Sequence, residues 1–551
     1  MCGICVLWGP SVNEQMHTKC LEKLGPRGPD VTESHFLTAD TTPVAIGFTR
    51  LHIQGSKSGA EQPFMLRDGR RILCNGEIFN SDILIQQLSL QVPKGASDCA
   101  VIPALAEQHG LTLAQIARQL DGDFAIVCVD STGTITVARD PYGVRPLFYG
   151  VGDGWQAIVS ELKGLPSGTT YVRVIEPGTT ETFNIDGPNS SANAHVWHQP
   201  PWLKTPYWRS SLEGLTHGGM ALRHSLEEAV AKRLTTVREV GACLSGGLDS
   251  SLVAAIAARI MKAHDVRLHT YSIGMAGSPD LEHARMVAEH IGSIHHERVV
   301  TSDECLAIIP EVVAAIESFD ITTVRASVGN YLVGRLITME TPDVKVVLNG
   351  DGADEVLGGY LYMRAAPTNA AFELETDRLL AEIHHYDVLR SERSMAAHGL
   401  ESRSPFLDRQ FVSVARSLPT DVLRPTSEMM EKAVLRMAFA ETGLLPEKVL
   451  WRRKEAFSDG ISRAENSWFE MAKAEGERVA GGNWHQKAAT YTVNPPPTAE
   501  ALWYRELFHR SYPEVAAAAA TPAMWMPRFV ANATDPSARA LTSLYQQPAV
   551  I

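Results

Sequence analysis

Residues 240–255 read VGACLSGGLDSSLVAA, and this stretch decides how the second half of the 551-residue chain folds. Val240–Leu244 is a short apolar run of strand character. Gly246 and Gly247 then permit a tight turn, and Asp249, Ser250 and Ser251 open a helical run that continues through LVAAIAARIM. A strand, a glycine turn and a helix start together aim backbone N–H groups at one point, a setting suited to phosphate. No Gly-Lys-Ser/Thr follows, so the loop lacks the lysine that serves γ-phosphate transfer in a Walker A loop. Asp249 can offer carboxylate oxygen to Mg²⁺. The plainer alternative is a glycine turn with a serine cap, which leaves the Ser-Gly-Gly-x-Asp-Ser order unaccounted for.

Working outward, helical GMALRHSLEEAVAKRL precedes this strand. The strand-like VRLHTYSIGM follows it, then SPDLEHARMVAEHIG, where Ser278 can cap a helix with Pro279 in its first turn. VKVVLNG is a further strand running into an acidic loop, LNGDGADE, at Leu348–Glu355. Strands alternating with helices predict a doubly wound parallel sheet with both loops at its C-terminal edge. Beyond about residue 370 the chain reads mostly helical, and its one simple stretch is the alanine run 516–520. Residues 1 to about 195 read differently. GICVLW, PVAIGFTRL, RRILCNGEIF, DFAIVCVD and TITVARD are β-like, with helices expected near 82–90 and 98–118. Between His195 and Ser211, HVWHQPPWLKTPYWRSS carries three Trp and three Pro and reads as an ordered linker.

Composition narrows the function. A net charge of −13 argues against a general nucleic-acid or anionic-membrane surface. No run approaches the ~20 apolar residues that span a bilayer, and no secretory signal is visible. The eight cysteines are sparse, and Cys74, Cys128 and Cys243 sit in apolar strings, as in reduced cytoplasmic proteins. The sequons at Asn189 and Asn532 are read as accidental.

Cys2 and Cys5 share C-x-x-C spacing, which fits half a zinc site, a redox pair, or a nucleophile at Cys2 exposed by loss of Met1. No second C-x-x-C completes a zinc site. The surroundings are β-like rather than a helix start, against a redox pair. A nucleophile needs a base, and a free α-amine with a pKa near ~8 is one.

Further motifs favour the nucleophile. CGI, RGPD at 27–30, RLHI at 50–53, NGEIFN at 75–80, SD at 97–98 and RDPYGVRPLFY at 139–149 together resemble class II glutamine amidotransferases, which are N-terminal-nucleophile hydrolases. CLSGGLDSS resembles the pyrophosphate-loop, or PP-loop, ATP pyrophosphatases. SGGLDSSLVAA, SFDITTVRASVGNYL, AAHGLESRSPFLDRQF and WRRKEAFSDGIS extend the resemblance to the glutamine-hydrolysing asparagine synthetase family. It implies a four-layer α/β/β/α sandwich over residues 1–200. A doubly wound parallel α/β PP-loop domain with a helical C-terminal part would fill 201–551.

By that resemblance Cys2 is the nucleophile, and Asn75 and Gly76 supply oxyanion donors. Arg50, Leu51, Ile53, Glu77 and Asp98 bind glutamine. Leu244 and Ile273 flank adenine; Ser245, Gly246, Gly247, Asp249, Ser250, Asn349, Gly350 and Lys454 hold ATP; Asp249 and Asp354 hold Mg²⁺. Thr322, Thr323 and Arg325 bind aspartate, and Asp351 is catalytic. The implied partners are glutamine, aspartate and ATP, with no nucleic acid or membrane; a homodimer is left open. The sequence departs from the family pattern at Pro26, where His is usual, and at Asn349–Glu355, where the family reads Ser-Gly-Glu-Gly-Ser-Asp-Glu.

Overall fold

The computed structural model describes residues 1–551 except 40, 57–60, 186–193, 201–212, 455–459, 464–466, 532, 534 and 538–551. Both sequons and the linker from residue 201 lie outside the described residues.

The first half is built from strands β1 (Gly3–Trp8), β2 (Val31–Ala39), β3 (Thr42–Arg50), β4 (Phe64–Met65), β5 (Arg71–Ile78), β6 (Gly122–Val129), β7 (Ile135–Arg139), β8 (Phe148–Gly152), β9 (Trp155–Val159), β10 (Tyr171–Val174), β11 (Thr179–Phe183) and β12 (His195–Val196). They form two antiparallel sheets, ordered β10-β8-β9-β1-β3-β2 and β12-β11-β7-β6-β5-β4. The period-2 alternation of a strand builds the layers. Along β1, Ile4, Val6 and Trp8 face inward and share a core with Leu73, Val127 and Val137 of the other sheet. Cys5 and Leu7 point the opposite way, against Cys20, Leu21 and Leu24 of the helix Glu14–Leu24. The second sheet likewise sends Ile72, Phe124 and Ile126 outward onto Ile102, Leu105 and Ile116. Those three belong to the helices Val101–Gln108 and Leu113–Gln119. The result is the expected α/β/β/α sandwich. What remains described of the linker is ordered: Trp197 stacks on Phe124 with ring centroids 5.9 Å apart and donates to the Arg139 carbonyl at 3.2 Å.

The second half holds β13 (Glu239–Cys243), β14 (His269–Met275), β15 (Ile294–Val300), β16 (Val344–Leu348) and β17 (Glu401–Arg403), all parallel, in the order β15-β14-β13-β16-β17. The chain steps outward on one side of β13 and then returns to its other side. The loops after β13 and β16 therefore diverge from adjacent strands, the topological switch point where α/β sheets bind ligands. Ser278 caps the helix Pro279–Ile291 as expected, its side chain accepting from the Leu281 N–H. No helix among the described residues is long and apolar enough to cross a membrane.

Candidate active sites

In the first half, β1 and β5 bring Cys2 to Asn75. The Cys2 backbone N–H donates to Asn75 Oδ1 at 2.9 Å. Asn75 Nδ2 is buried and has no partner, so one strong donor beside the thiol awaits an acceptor. Gly76 is required where it stands: a Cβ there would fall 2.2 Å from the Asp123 carbonyl oxygen on β6. Burial pushes the Cys2 thiol up despite a hydrogen bond from Leu51, so ionising it needs a base close by. Burial also lowers the Met1 amine to about 6.

Arg50 ends β3 and bonds the carbonyls of Gln54 and Ser56, both at 3.2 Å. Leu51 and Ile53, which follow it, are buried in the core of the second half. Asp98 accepts from the Ile78 N–H at 2.5 Å, and burial lifts its carboxyl to about 6. Glu77 differs from its expected use. Its carboxylate lies 2.9 Å from the Arg403 guanidinium, so the side chain ties the two halves together.

The second cluster surrounds a cavity of about 240 Å³ at the switch point, lined by Leu244, Ser245, Asp249, Ile273, Asn349 and Asp351 among others. Ser245 Oγ lies 3.0 Å from Ser250 Oγ and accepts from the Gly247 N–H at 3.4 Å, which closes the turn. Gly246 is not in the wall. At φ +72° it packs so tightly on the helix Pro279–Ile291 that a Cβ would meet the Ala284 nitrogen at 2.5 Å. Gly350 is needed because a Cβ would come 2.7 Å from the Ser250 nitrogen, where the two loops touch. Asn349 is spent inside the loop: Nδ2 donates to Ser402 Oγ at 2.6 Å, and Oδ1 accepts from Ser404 Oγ at 2.9 Å and the Asp351 N–H at 3.1 Å.

Asp249 and Asp354 meet at two lysines. Lys454 Nζ is 2.6 Å from Asp354 Oδ2 and 4.0 Å from Asp249 Oδ2. Burial alone would raise the Asp354 carboxyl, but Lys432 and Lys454 outweigh it and hold it well below the usual range. Asp249 Oδ1 accepts no hydrogen bond, whereas Asp354 Oδ1 faces the Lys432 ammonium at 2.5 Å.

On the acceptor side, the Thr322 hydroxyl is buried and unpartnered in the cavity wall. Thr323 is turned away; its hydroxyl and N–H both bond Asp320, the cap of the helix Ile321–Glu340. Arg325 reaches the wall, but its fork is filled by Glu500 at 2.6 Å and Asp535 at 2.9 Å. Both threonines and Arg325 were expected to bind aspartate; only Thr322 presents an open polar atom. Asp351 is half-buried against Arg390 at 3.1 Å, and its partial removal from water raises its carboxyl.

The two clusters are joined through buried contacts. Met1 is 1% exposed, and its sulfur takes Arg145 Nη1 at 3.0 Å. The same Nη1 reaches the Ser402 carbonyl at 3.4 Å, and Ser402 Oγ is bonded to Asn349 in the wall of the switch-point cavity.

The asparagine synthase family profile matches residues 221–379 and 368–532, and the glutamine amidotransferase domain profile matches residues 1–198. The chain belongs to the asparagine synthase family. It is 39% identical to the glutamine-hydrolyzing asparagine synthetase of Gallus gallus, over 98% of both chains. Against the proteins of that name from Cricetulus griseus and Homo sapiens the identity is 40% and 39%, over 98% of this chain and 99% of theirs.

Members of the site that sequence reading did not single out are Lys432, Arg390, Ser402 and the buried set Arg27–Glu161–Glu392. Arg27 Nε donates to the Cys2 carbonyl at 2.8 Å and Nη1 reaches Glu161 at 2.5 Å; Nη2 pairs with Glu392. RGPD looked like a local motif, and the segment 389–393 reads as ordinary helix. Nothing in either string announces that they meet across 365 residues.

Proposed function

We propose that this chain makes L-asparagine from L-aspartate, ATP and the amide nitrogen of L-glutamine, through β-aspartyl-AMP, releasing AMP and pyrophosphate. Residues 1–200 act as glutaminase and 201–551 as synthetase, in the reducing cytoplasm that eight unpaired cysteines suit. The observation that carries the reading is the buried seam between the two clusters: Arg27 donates to the Cys2 carbonyl and pairs with Glu392, Glu77 beside Asn75 pairs with Arg403, and Arg145 reaches the Ser402 carbonyl, whose side chain is bonded to Asn349. An amide-cleaving cluster and a phosphate cavity so joined serve one reaction. Relatives named glutamine-hydrolyzing asparagine synthetase, aligned over nearly the whole chain, support the choice of substrates.

Once Met1 is removed, the Cys2 α-amine takes the thiol proton. The sulfur attacks the side-chain amide of glutamine, and Asn75 Nδ2 with the Gly76 N–H donates to the oxyanion. The C–N bond breaks, the amine returns its proton to the leaving ammonia, and water hydrolyses the thioester to glutamate. Arg50 forks the glutamine α-carboxylate, Asp98 takes its α-ammonium, and Leu51, Ile53 and the Glu77 backbone shape the wall.

In the second half Leu244 and Ile273 flank adenine. Ser245, Gly247 and Ser250 hold the phosphates, Gly246 fixes the turn, and Asn349 with Gly350 holds the facing loop. Asp249 and Asp354 fit Mg²⁺, which takes one or two carboxylates plus phosphate oxygens and, when bound, neutralises phosphate charge. The aspartate β-carboxylate, steered by Thr322, attacks the α-phosphorus, and pyrophosphate leaves against Lys454. Ammonia then displaces AMP, with Asp351 accepting its proton.

The test is product analysis with glutamine, ATP, Mg²⁺ and aspartate. Asparagine, AMP and pyrophosphate in equal amounts are expected. Adenylation of another acid in place of aspartate would refute the acceptor and point to a different amidotransferase.

A further inference from the structure

Lys432 stands immediately before the helix Ala433–Ala440 with φ +57°, a left-handed backbone that non-glycine side chains seldom adopt and that costs on the order of 1–3 kcal/mol. It is 1% exposed. Its Nζ lies 2.6 Å from Asp249 Oδ2 and 2.5 Å from Asp354 Oδ1. One ammonium therefore bridges two carboxylates that arrive from different loops at the switch point. The space around it is closed: a Cβ on Gly359 would fall 2.1 Å from Lys432 Cε and 2.2 Å from Asp354 Oδ1. A strained backbone kept at such a point signals a task for the side chain it aims.

Resting on the reading that Asp249 and Asp354 seat the divalent cation, we propose that Lys432 is the positioning residue that holds this seat in the nucleotide-free enzyme. Its ammonium bridges the two acids and neutralises them. With Lys454 also present, a bare divalent cation would meet a seat whose two negative charges are already balanced by two positive ones. A cation carried by ATP arrives with phosphate oxygens, which complete its coordination and give both lysines a new anionic partner. Metal and nucleotide then bind cooperatively, and the seat discriminates against metal without nucleotide.

The test uses full-length protein and Mn²⁺ as the probe, with free Mn²⁺ read by electron paramagnetic resonance. Without nucleotide, wild type should bind Mn²⁺ weakly and Lys432→Gln at least ~10-fold more tightly, because a unit charge a few ångströms from the cation has been removed. Lys432→Arg should stay weak. A non-hydrolysable ATP analogue should tighten Mn²⁺ binding to wild type much more than to Lys432→Gln. Lys432→Asn, whose side chain tolerates the left-handed backbone, serves if the glutamine variant does not fold. Equal Mn²⁺ affinity in wild type and a folded uncharged variant overturns the role of Lys432. Tight Mn²⁺ binding to Lys432→Gln that survives Asp354→Asn overturns the seat instead. Neither outcome depends on which acid is adenylated.

Discussion

Replacing Arg27 with Met removes a cation that is 1% exposed and lies between Glu161, Glu392 and the Cys2 carbonyl. Burial alone would raise the Glu161 carboxyl; Lys163, Arg27 and Arg393 outweigh it and hold it at about 2, against an ordinary 4.5. That gap corresponds to ~3 kcal/mol of charge stabilisation at neutral pH. Because the folded value is depressed, the contribution is full above pH 4.5 and lost as pH falls toward 2. Glu161 keeps Lys163 Nζ at 3.0 Å and Arg393 Nε at 3.7 Å, and Glu392 keeps Arg393 Nε at 3.5 Å, so each loses only part of its stabilisation. Arg27 supplies only a share of the Glu161 gap, so against the ~3–5 kcal/mol of a buried charge left with no partner, its removal costs ~1–2 kcal/mol. Arg27→Met should lower the first urea transition at pH 7.5 by about that amount, read by tryptophan fluorescence. Adding Glu392→Gln should recover part of it, because one stranded charge is gone. Glutaminase turnover should drop too, by ~10-fold or more, from the lost charged hydrogen bond behind Cys2. A folded Arg27→Met protein unfolding at the wild-type midpoint would refute the view that this pair holds the halves together.

Three further outcomes follow from the site geometry. Asn75→Ala should cut glutaminase kcat by ~10²–10³ while leaving ammonia-dependent asparagine formation intact, measured by glutamate and asparagine release. The Asp98 carboxyl is charged above about 6, so kcat/KM for glutamine should fall as pH drops through that value, and Asp98→Asn should remove this limb of the profile. Asp351→Ala should abolish aspartate-dependent pyrophosphate release and spare glutaminase, whereas Asp351→Glu should keep measurable synthesis, since the charge facing Arg390 is retained.

What could be read in advance was whatever a short window encodes. The alternation of Ile4, Val6 and Trp8 against Cys5 and Leu7 is the sandwich in miniature, and the glycines at 246 and 350 stand where backbones touch. The strand Val31–Ala39 escaped notice because it lies at a sheet edge with most of its side chains in solvent, so its residues lack the apolar run of a core strand. The helix Glu14–Leu24 buries only His17, Cys20, Leu21 and Leu24, too thin a stripe to stand out. Lys432, Arg390 and Ser402 were invisible for a different reason. Each is an ordinary residue in its own segment, and acquires its partner only when the order β15-β14-β13-β16-β17 brings distant loops to one edge. Arg325 is the converse: its motif context implied a free guanidinium fork, and Glu500 and Asp535, 175 and 210 residues away, fill it.

The charges sealed between the halves also restrict how such a chain can be reshuffled by recombination. Arg27 meets Glu392, Glu77 meets Arg403, Arg145 meets Glu401 and Glu161 meets Arg393, one member of each pair on either side of residue 200. A crossover near the linker that joined this N-terminal half to a relative's C-terminal half would inherit one side of each pair only. Unless the donor carried matching charges, the hybrid would bury ions stripped of their partners across the seam at several points at once. A substitution at 27, 77, 145 or 161 therefore weakens a buried contact across the seam unless an answering change stands at 392, 403, 401 or 393.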